Sequence, residues 1–174
     1  MASSFSTPTK LLFLSLFLIT IMVSKGQQNT MVFFLQDVAT GPNATVTPVT
    51  GINGKVWSYN TFGTIFVIDD PVSLTTSLNS TPIGRVQGLL IASSLDGTNV
   101  NVVVSIVFNN FEYSGSTLEI QGISRQGENY REVSVVSGTG RFRFARGFAA
   151  FETISYDEAT KHSIIRLSIN LVQP

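Results

Sequence analysis

The sequence predicts an all-β protein, an eight-stranded antiparallel barrel in preference to a two-sheet sandwich. Its apolar residues recur with a period of two, its eight or nine β-rich runs are short and closely spaced, and no convincing helix interrupts them. Eight strands closed on themselves leave no free edge and enclose room for one small ligand. Neither internal repeats nor linkers break the pattern, so one domain is expected.

The first 26 residues stand apart. Lys10 precedes an unbroken apolar run over 11–23, short for a bilayer span and followed by small residues at Ser24 and Gly26. That is the pattern of a secretory signal peptide, cut before Gln27. The remaining 148 residues (27–174) carry nine basic and eleven acidic side chains, a net charge of −2, which gives no reason to expect nucleic acid or a membrane as partner. There is no cysteine, so packing alone must hold the domain, and thiol nucleophiles and cysteine-based metal sites are excluded. Sequons at Asn43 and Asn79 fall in turn-rich stretches where glycosylation is expected.

Strands are expected over 31–37, 45–49, 59–69, 83–95, 98–108, 117–124, 131–136, 147–156 and 163–172. Gly41-Pro42-Asn43 turns the chain after the first, and Asp70-Pro71 closes the third before a long polar loop. Asp96-Gly97 between two β-rich runs signals a hairpin. In the last strand Ile165, Leu167, Ile169 and Leu171 alternate with Arg166, Ser168 and Asn170, a half-buried pattern. The 98–108 run differs, because Val103 and Val107 make its second face apolar too. A second copy of the chain is the economical cover for it.

The most distinctive stretch is Arg131 to Gly147, with four arginines and one glutamate. A reversal is expected at 137–140, where Gly138 and Gly140 supply conformational freedom. An extended segment after it would set Arg141 and Arg143 on one face, with Phe142 and Phe144 turned to a core. Arg146 completes a basic surface that is either simply solvated or suited to an anionic polymer.

Candidates for chemistry are few. His162, the sole histidine, falls in a polar turn, and no His/Asp/Glu cluster has metal-ligand spacing, so no cofactor and no redox centre of the protein's own are expected. Asp37 ends its strand on the face of Phe33 and Leu35. Pointing into a barrel, it would be desolvated, its pKa raised, and it would be fit to give or take a proton; otherwise it merely opens the turn. Asp69 and Asp70 point oppositely if extended, but beside Pro71 they read as a strand end. Arg131 opens a strand and is placed to reach either a carboxylate inside a barrel mouth or merely a surface partner. Glu119 and Glu152 are expected to face outward.

The chain resembles the plant dirigent family over its whole mature length. The blocks that carry the likeness are FFLQD (33–37) with GPNAT (41–45), FGTIFVIDDP (62–71), IGRVQGLLIASSLDG (83–97), GSTLEIQG (115–122) and REVSVVSGTGRFRFARGFA (131–149). The resemblance implies a secreted, calycin or allene-oxide-cyclase-like barrel of the plant cell wall, usually trimeric, with a dimer as the alternative. It also implies binding of phenoxy radicals or related phenolics and control of the face on which they couple, the oxidation being left to a separate laccase or peroxidase. Some members instead close a ring on a bound quinone methide, with an aspartate as acid, which the resemblance places here at Asp37. A non-catalytic role, binding wall polysaccharide or lignin through Arg141, Arg143 and Arg146, is the further alternative. Carried over by motif, Asp37 and Arg131 are the catalytic pair. Gln36 (where the family has histidine), Arg85, Leu90 (in place of a pocket phenol) and Ser124 (in place of a pocket aspartate) are the substrate-binding positions.

Overall fold

The computed structural model describes residues 28–172, so the expected signal peptide lies outside the described residues. Nine strands follow in order: β1 (Gln28–Val38), β2 (Val46–Thr50), β3 (Ile65–Ser73), β4 (Gly84–Ala92), β5 (Asn99–Phe108), β6 (Thr117–Arg125), β7 (Arg131–Thr139), β8 (Arg146–Asp157) and β9 (His162–Val172). Every pairing is antiparallel, and neighbours run β1-β9-β8-β7-β6-β5-β4-β3. The pairing of β1 with β3 closes this ring into an eight-stranded barrel, and β2 lies alongside β3 as an extra strand.

Closure explains the main departure from the expected elements. The third strand begins later than expected and runs straight through Asp69-Asp70-Pro71 instead of ending there. Along its far edge β3 pairs with β2 up to Ile68 and with β1 from Val72. Asp69 still donates its N–H to the Thr45 carbonyl oxygen at 2.8 Å, and Pro71 falls at the changeover, where its missing N–H leaves no ladder bond unmade. A proline that reads as a terminator is here the junction of two partners.

The other boundaries move less. β4 stops at Ala92, after which the Asp96-Gly97 turn delivers the expected hairpin, with Asp96 Oδ1 accepting from the Thr98 N–H at 3.1 Å. Midway along β4 a side chain at Gly88 would strike the Val103 carbonyl oxygen, so this strand can bend tightly against β5 only with glycine there. The expected reversal at 137–140 lies further on: β7 continues through Thr139, with Gly138 paired to Leu118. The chain turns instead through a 3-10 turn at Gly140–Phe142, which Gly140 enters at φ 59°. Phe142 is buried, but Phe144 points to solvent, so the expectation of two core-facing phenylalanines fails for the second.

The two ends of the barrel differ. At the end holding the start of β1 and the end of β5, Phe33, Phe108, Tyr113 and Phe142 pack ring against ring. Phe108 lies with its centroid 5.8 Å from Phe33 and 5.3 Å from both Tyr113 and Phe142. Leu118, Ile106, Val135, Leu167 and Ile169 fill the layer around them. That end is plugged, and the opposite end is hollow. On the outer wall the cross-strand register aligns Val67, Leu89 and Val103, all more than a third exposed, so the apolar second face expected for the fifth strand is real. Because Phe108 is fully buried at the hub of the plug, Phe108→Ala is expected to lower stability by about 3–5 kcal/mol, read as a shift in the urea midpoint at unchanged m-value.

Candidate active site

The hollow end holds a cavity of about 250 Å³. Its walls are the inward residues of the barrel strands, with Leu35, Ile68, Val86, Leu90, Val102 and Phe151 giving it an apolar body. Strand alternation sets which polar groups enter. On β1, Phe33, Leu35 and Asp37 share the inner face, and on β3 Ile68, Asp70 and Val72 do. Leu35 is the register partner of Val72. Two residues on from that pair, in opposite chain directions, Asp37 and Asp70 fall across from each other and both line the cavity.

These two carboxyls dominate the electrostatics. Burial pushes Asp37 up to about 6. Asp70 is only 2% exposed, and its Oδ1 has no hydrogen-bond partner. Burial first, and then the nearby charge of Asp37, push it up to about 8. Near neutral pH, therefore, Asp70 carries a proton and Asp37 mostly does not. Two carboxyls in similar surroundings are thereby split into an acid and a base. The phenol of Tyr59 is also pushed upward, by burial and by both carboxylates, and stays protonated. Its ring stacks on Phe66 with centroids 4.2 Å apart, which turns the long β2–β3 connection over the cavity.

Arg131 reaches the cavity from the start of β7, where its Nη2 donates to Thr153 Oγ1 at 3.0 Å. Burial pulls its pKa down from the ordinary arginine value. No ion pair joins it to either buried aspartate among the described residues, so the donors that Thr153 does not take are available to a guest. Ser124 lines the same space, with Gln126 Nε2 donating to its Oγ at 3.2 Å, and Leu90 forms part of the apolar wall. Among the described residues no group of His, Asp and Glu is placed to hold a metal ion.

Six candidate positions thus separate into four and two. Asp37, Leu90, Ser124 and Arg131 come together at the cavity. Arg85 and Gln36 do not, because each has the wrong strand parity. Arg85 lies on the outer wall, paired through Nε with Asp69 Oδ1 and donating from Nη2 to the Asp69 carbonyl oxygen. Gln36 faces away from the cavity, with Oε1 2.9 Å from His162 Nε2 and Nε2 donating to the Thr76 carbonyl oxygen at 3.4 Å. His162 is accordingly the half-buried first residue of β9 rather than part of a polar turn. Glu119 and Glu152 sit on the outer wall as expected. Glu119 accepts from Ser105 and Thr117, and Glu152 lies 3.7 Å from Arg166. Asn43 and Asn79 are both exposed.

Two functional candidates were missed, Asp70 and Tyr59. For Asp70 the signal was in the sequence: adjacent aspartates in an extended strand must put one inside. Nothing marked Tyr59, which sits in the loop ahead of a strand that starts six residues later than expected.

Comparison with known proteins places this site in context. A family model described as "Dirigent-like protein" matches residues 28–172. The chain is 34% identical over 138 residues to a pterocarpan synthase 1 of Glycyrrhiza echinata, spanning 79% of this chain and 73% of that protein. It is 30% identical over 135 residues to dirigent protein 11 of Arabidopsis thaliana, spanning 76% of this chain and 70% of that one. A solved pterocarpan synthase dirigent protein superposes with a TM-score of 0.76 at 31% identity, over 85% of this chain and 86% of the other.

The raised carboxyls fix the sign of a pH dependence. The native state holds protons that the unfolded chain releases nearer pH 4, so stability is greatest in acid and falls as pH rises toward 8. Thermal midpoints of the native protein are expected to decline across that window. Asp70→Asn, which has no charge to bury, is expected to flatten the decline. A profile that rises over the same window would show that neither carboxyl is buried as described.

Proposed function

The chain belongs to the dirigent family, and we propose that it binds one phenolic intermediate of the quinone-methide type and imposes stereochemistry on its ring closure. The observation that carries this reading is the pair of opposed carboxyls in an apolar cavity, one protonated and one ionised near neutrality. At about 250 Å³ the cavity lies just below the range of roughly 300–1,000 Å³ typical of drug-sized ligands, so it suits a single compact guest. For that reason closure within one molecule ranks ahead of coupling between two phenoxy radicals supplied by an external laccase or peroxidase. The relatives that are pterocarpan synthases support the same order.

The step balances without an oxidant. The Asp70 carboxyl gives its proton to the quinone-methide oxygen, which becomes a phenol. An internal hydroxyl of the guest adds to the exocyclic carbon, forming one C–O bond as the exocyclic double bond is consumed, and its proton passes to Asp37. The product is an isomer of the substrate, and transfer of that proton across to Asp70 restores the starting state. Arg131 donates to an oxygen of the guest and fixes which face of the exocyclic carbon the hydroxyl meets. Apolar walls hold the ring and exclude water, which would otherwise add to the same carbon. Each tenfold of stereochemical preference needs only about 1.4 kcal/mol between competing transition states, within the roughly 1.5–3 kcal/mol of one charge-assisted hydrogen bond.

Secretion, glycosylation at Asn43 and Asn79, and assembly into a trimer belong to the same proposal. The aligned Val67, Leu89 and Val103 on the outer wall are the surface offered for a second copy.

The test is turnover of a preformed phenolic quinone methide, or its benzylic alcohol precursor, with no oxidant present and chiral analysis of the product. The native protein is expected to give one enantiomer in excess. Asp70→Asn should slow the reaction by about 10²–10⁴-fold while the protein stays folded. Arg131→Gln should chiefly erode the enantiomeric excess. Selectivity seen only when a one-electron oxidant and a monolignol are supplied would favour radical coupling instead.

A further inference from the structure

The arginine-rich segment that stands out in the sequence takes no part in the cavity. It forms the β7–β8 connection at the plugged end of the barrel. Its backbone there is a type II turn, with the Ala145 N–H donating to the Phe142 carbonyl oxygen at 2.9 Å, Arg143 at φ −55° and ψ 130°, and Phe144 at φ 67°. The third position of such a turn favours glycine, and a bulky side chain there is strained. Phe144 nonetheless occupies it, 78% exposed, so its ring adds nothing to the core. Strain that packing does not explain points toward a use.

Arginines flank Phe144 along the chain at 141, 143 and 146. Arg141 Nη1 donates to the Glu112 carbonyl oxygen at 3.3 Å, and its guanidinium lies 5.9 Å from the Tyr113 ring centroid. Arg146 Nη1 donates to the Ala145 carbonyl oxygen at 3.0 Å. Among the described residues Arg141, Arg143 and Arg146 make no ion pair, whereas Arg85, Arg166 and Lys161 each have a carboxylate partner. Arg125 and Arg131 are also without an ion pair but stand apart, so three of the five unpaired arginines are gathered at one exposed turn.

We propose that this loop docks an anionic polysaccharide, a uronic acid polymer whose carboxylates pair with Arg141, Arg143 and Arg146 while one sugar ring stacks on Phe144. Guanidinium and carboxylate match as planar, bidentate partners. The C–H face of a pyranose carries slight positive charge and meets the negative face of an aromatic ring. One charge per sugar suits a local excess of arginine on a chain whose formal net charge is zero. A nucleic acid, with a charge every ~1.7 Å of duplex, calls for a basic domain. A lipid surface asks for deeper insertion than one ring provides, since even a single acyl chain holds a protein only marginally.

The proposal is tested by electrophoresis of the purified protein through native gels containing polygalacturonate, fully methyl-esterified polygalacturonate or no polymer, with sedimentation on phosphatidylserine vesicles in parallel. The native protein is expected to be retarded by the acidic polymer alone, and the retardation should vanish in about 0.5 M salt. Arg143→Gln and Phe144→Gly are each expected to weaken it by about tenfold. Phe144→Gly should do so with an unchanged or higher thermal midpoint, because glycine relaxes the turn. Absence of retardation, equal retardation by the esterified polymer, variants that bind like the native protein, or preferential sedimentation with vesicles would each overturn it. Asp70→Asn should be retarded like the native protein, so failure here is distinct from failure of the proposal for the cavity.

Discussion

Two carboxyl groups face each other inside a closed sheet, Asp70 buried and Asp37 partly so, among largely apolar walls. An ionised carboxylate in an apolar interior is so unfavourable that the group takes up a proton instead. With a second carboxyl opposite, both cannot ionise at ordinary cost. The less exposed of the two, Asp70, keeps its proton, while Asp37, nearer the mouth, can lose its own. The acid and the base are made by position, since the two side chains are chemically identical.

That position depends on how the barrel closes. β3 changes partner from β2 to β1 along one edge, and Pro71 sits at the changeover. The strand can therefore continue past the point where a proline ordinarily ends one, carrying Asp70 inward and Asp69 outward. Asp69 finds Arg85 on the outer wall, which leaves Asp70 without a cation of its own inside. The aromatic plug at the other end completes the arrangement. Phe33, Phe108, Tyr113 and Phe142 pack that end of the tube, and the cavity that Asp37, Asp70 and Arg131 line lies at the other.

Much of this was legible in the sequence, and the gaps have physical causes. Alternation of apolar residues located all nine strands and put Asp37 on the inner face with Leu35. Its place at the start of a strand made Arg131 a candidate for the mouth. The same rule applied strictly would have turned Gln36 outward, since it neighbours Asp37. Family likeness instead carried Gln36 and Arg85 into the site, and parity corrected both. Asp70 was lost to a sound local inference, that Asp-Pro ends a strand, which failed because no single-strand argument sees a change of partner on the far edge. Phe144 was lost similarly: extended geometry pairs it with Phe142, but a type II turn between them reverses its direction.

The protonation state of the two buried aspartates tests this account most directly. Carbon-13 labelling of the aspartate carboxyls, assigned through Asp37→Asn and Asp70→Asn, allows each resonance to be followed by NMR from pH 3 to pH 10. The account predicts that Asp37 titrates at about 6, and that the Asp70 carboxyl remains protonated past neutrality, with a midpoint of about 8 that falls when Asp37 is replaced. Two independent titrations near the ordinary aspartate value of about 3.9 would contradict it, because the cavity would then be wet and its carboxyls unable to divide the work of acid and base.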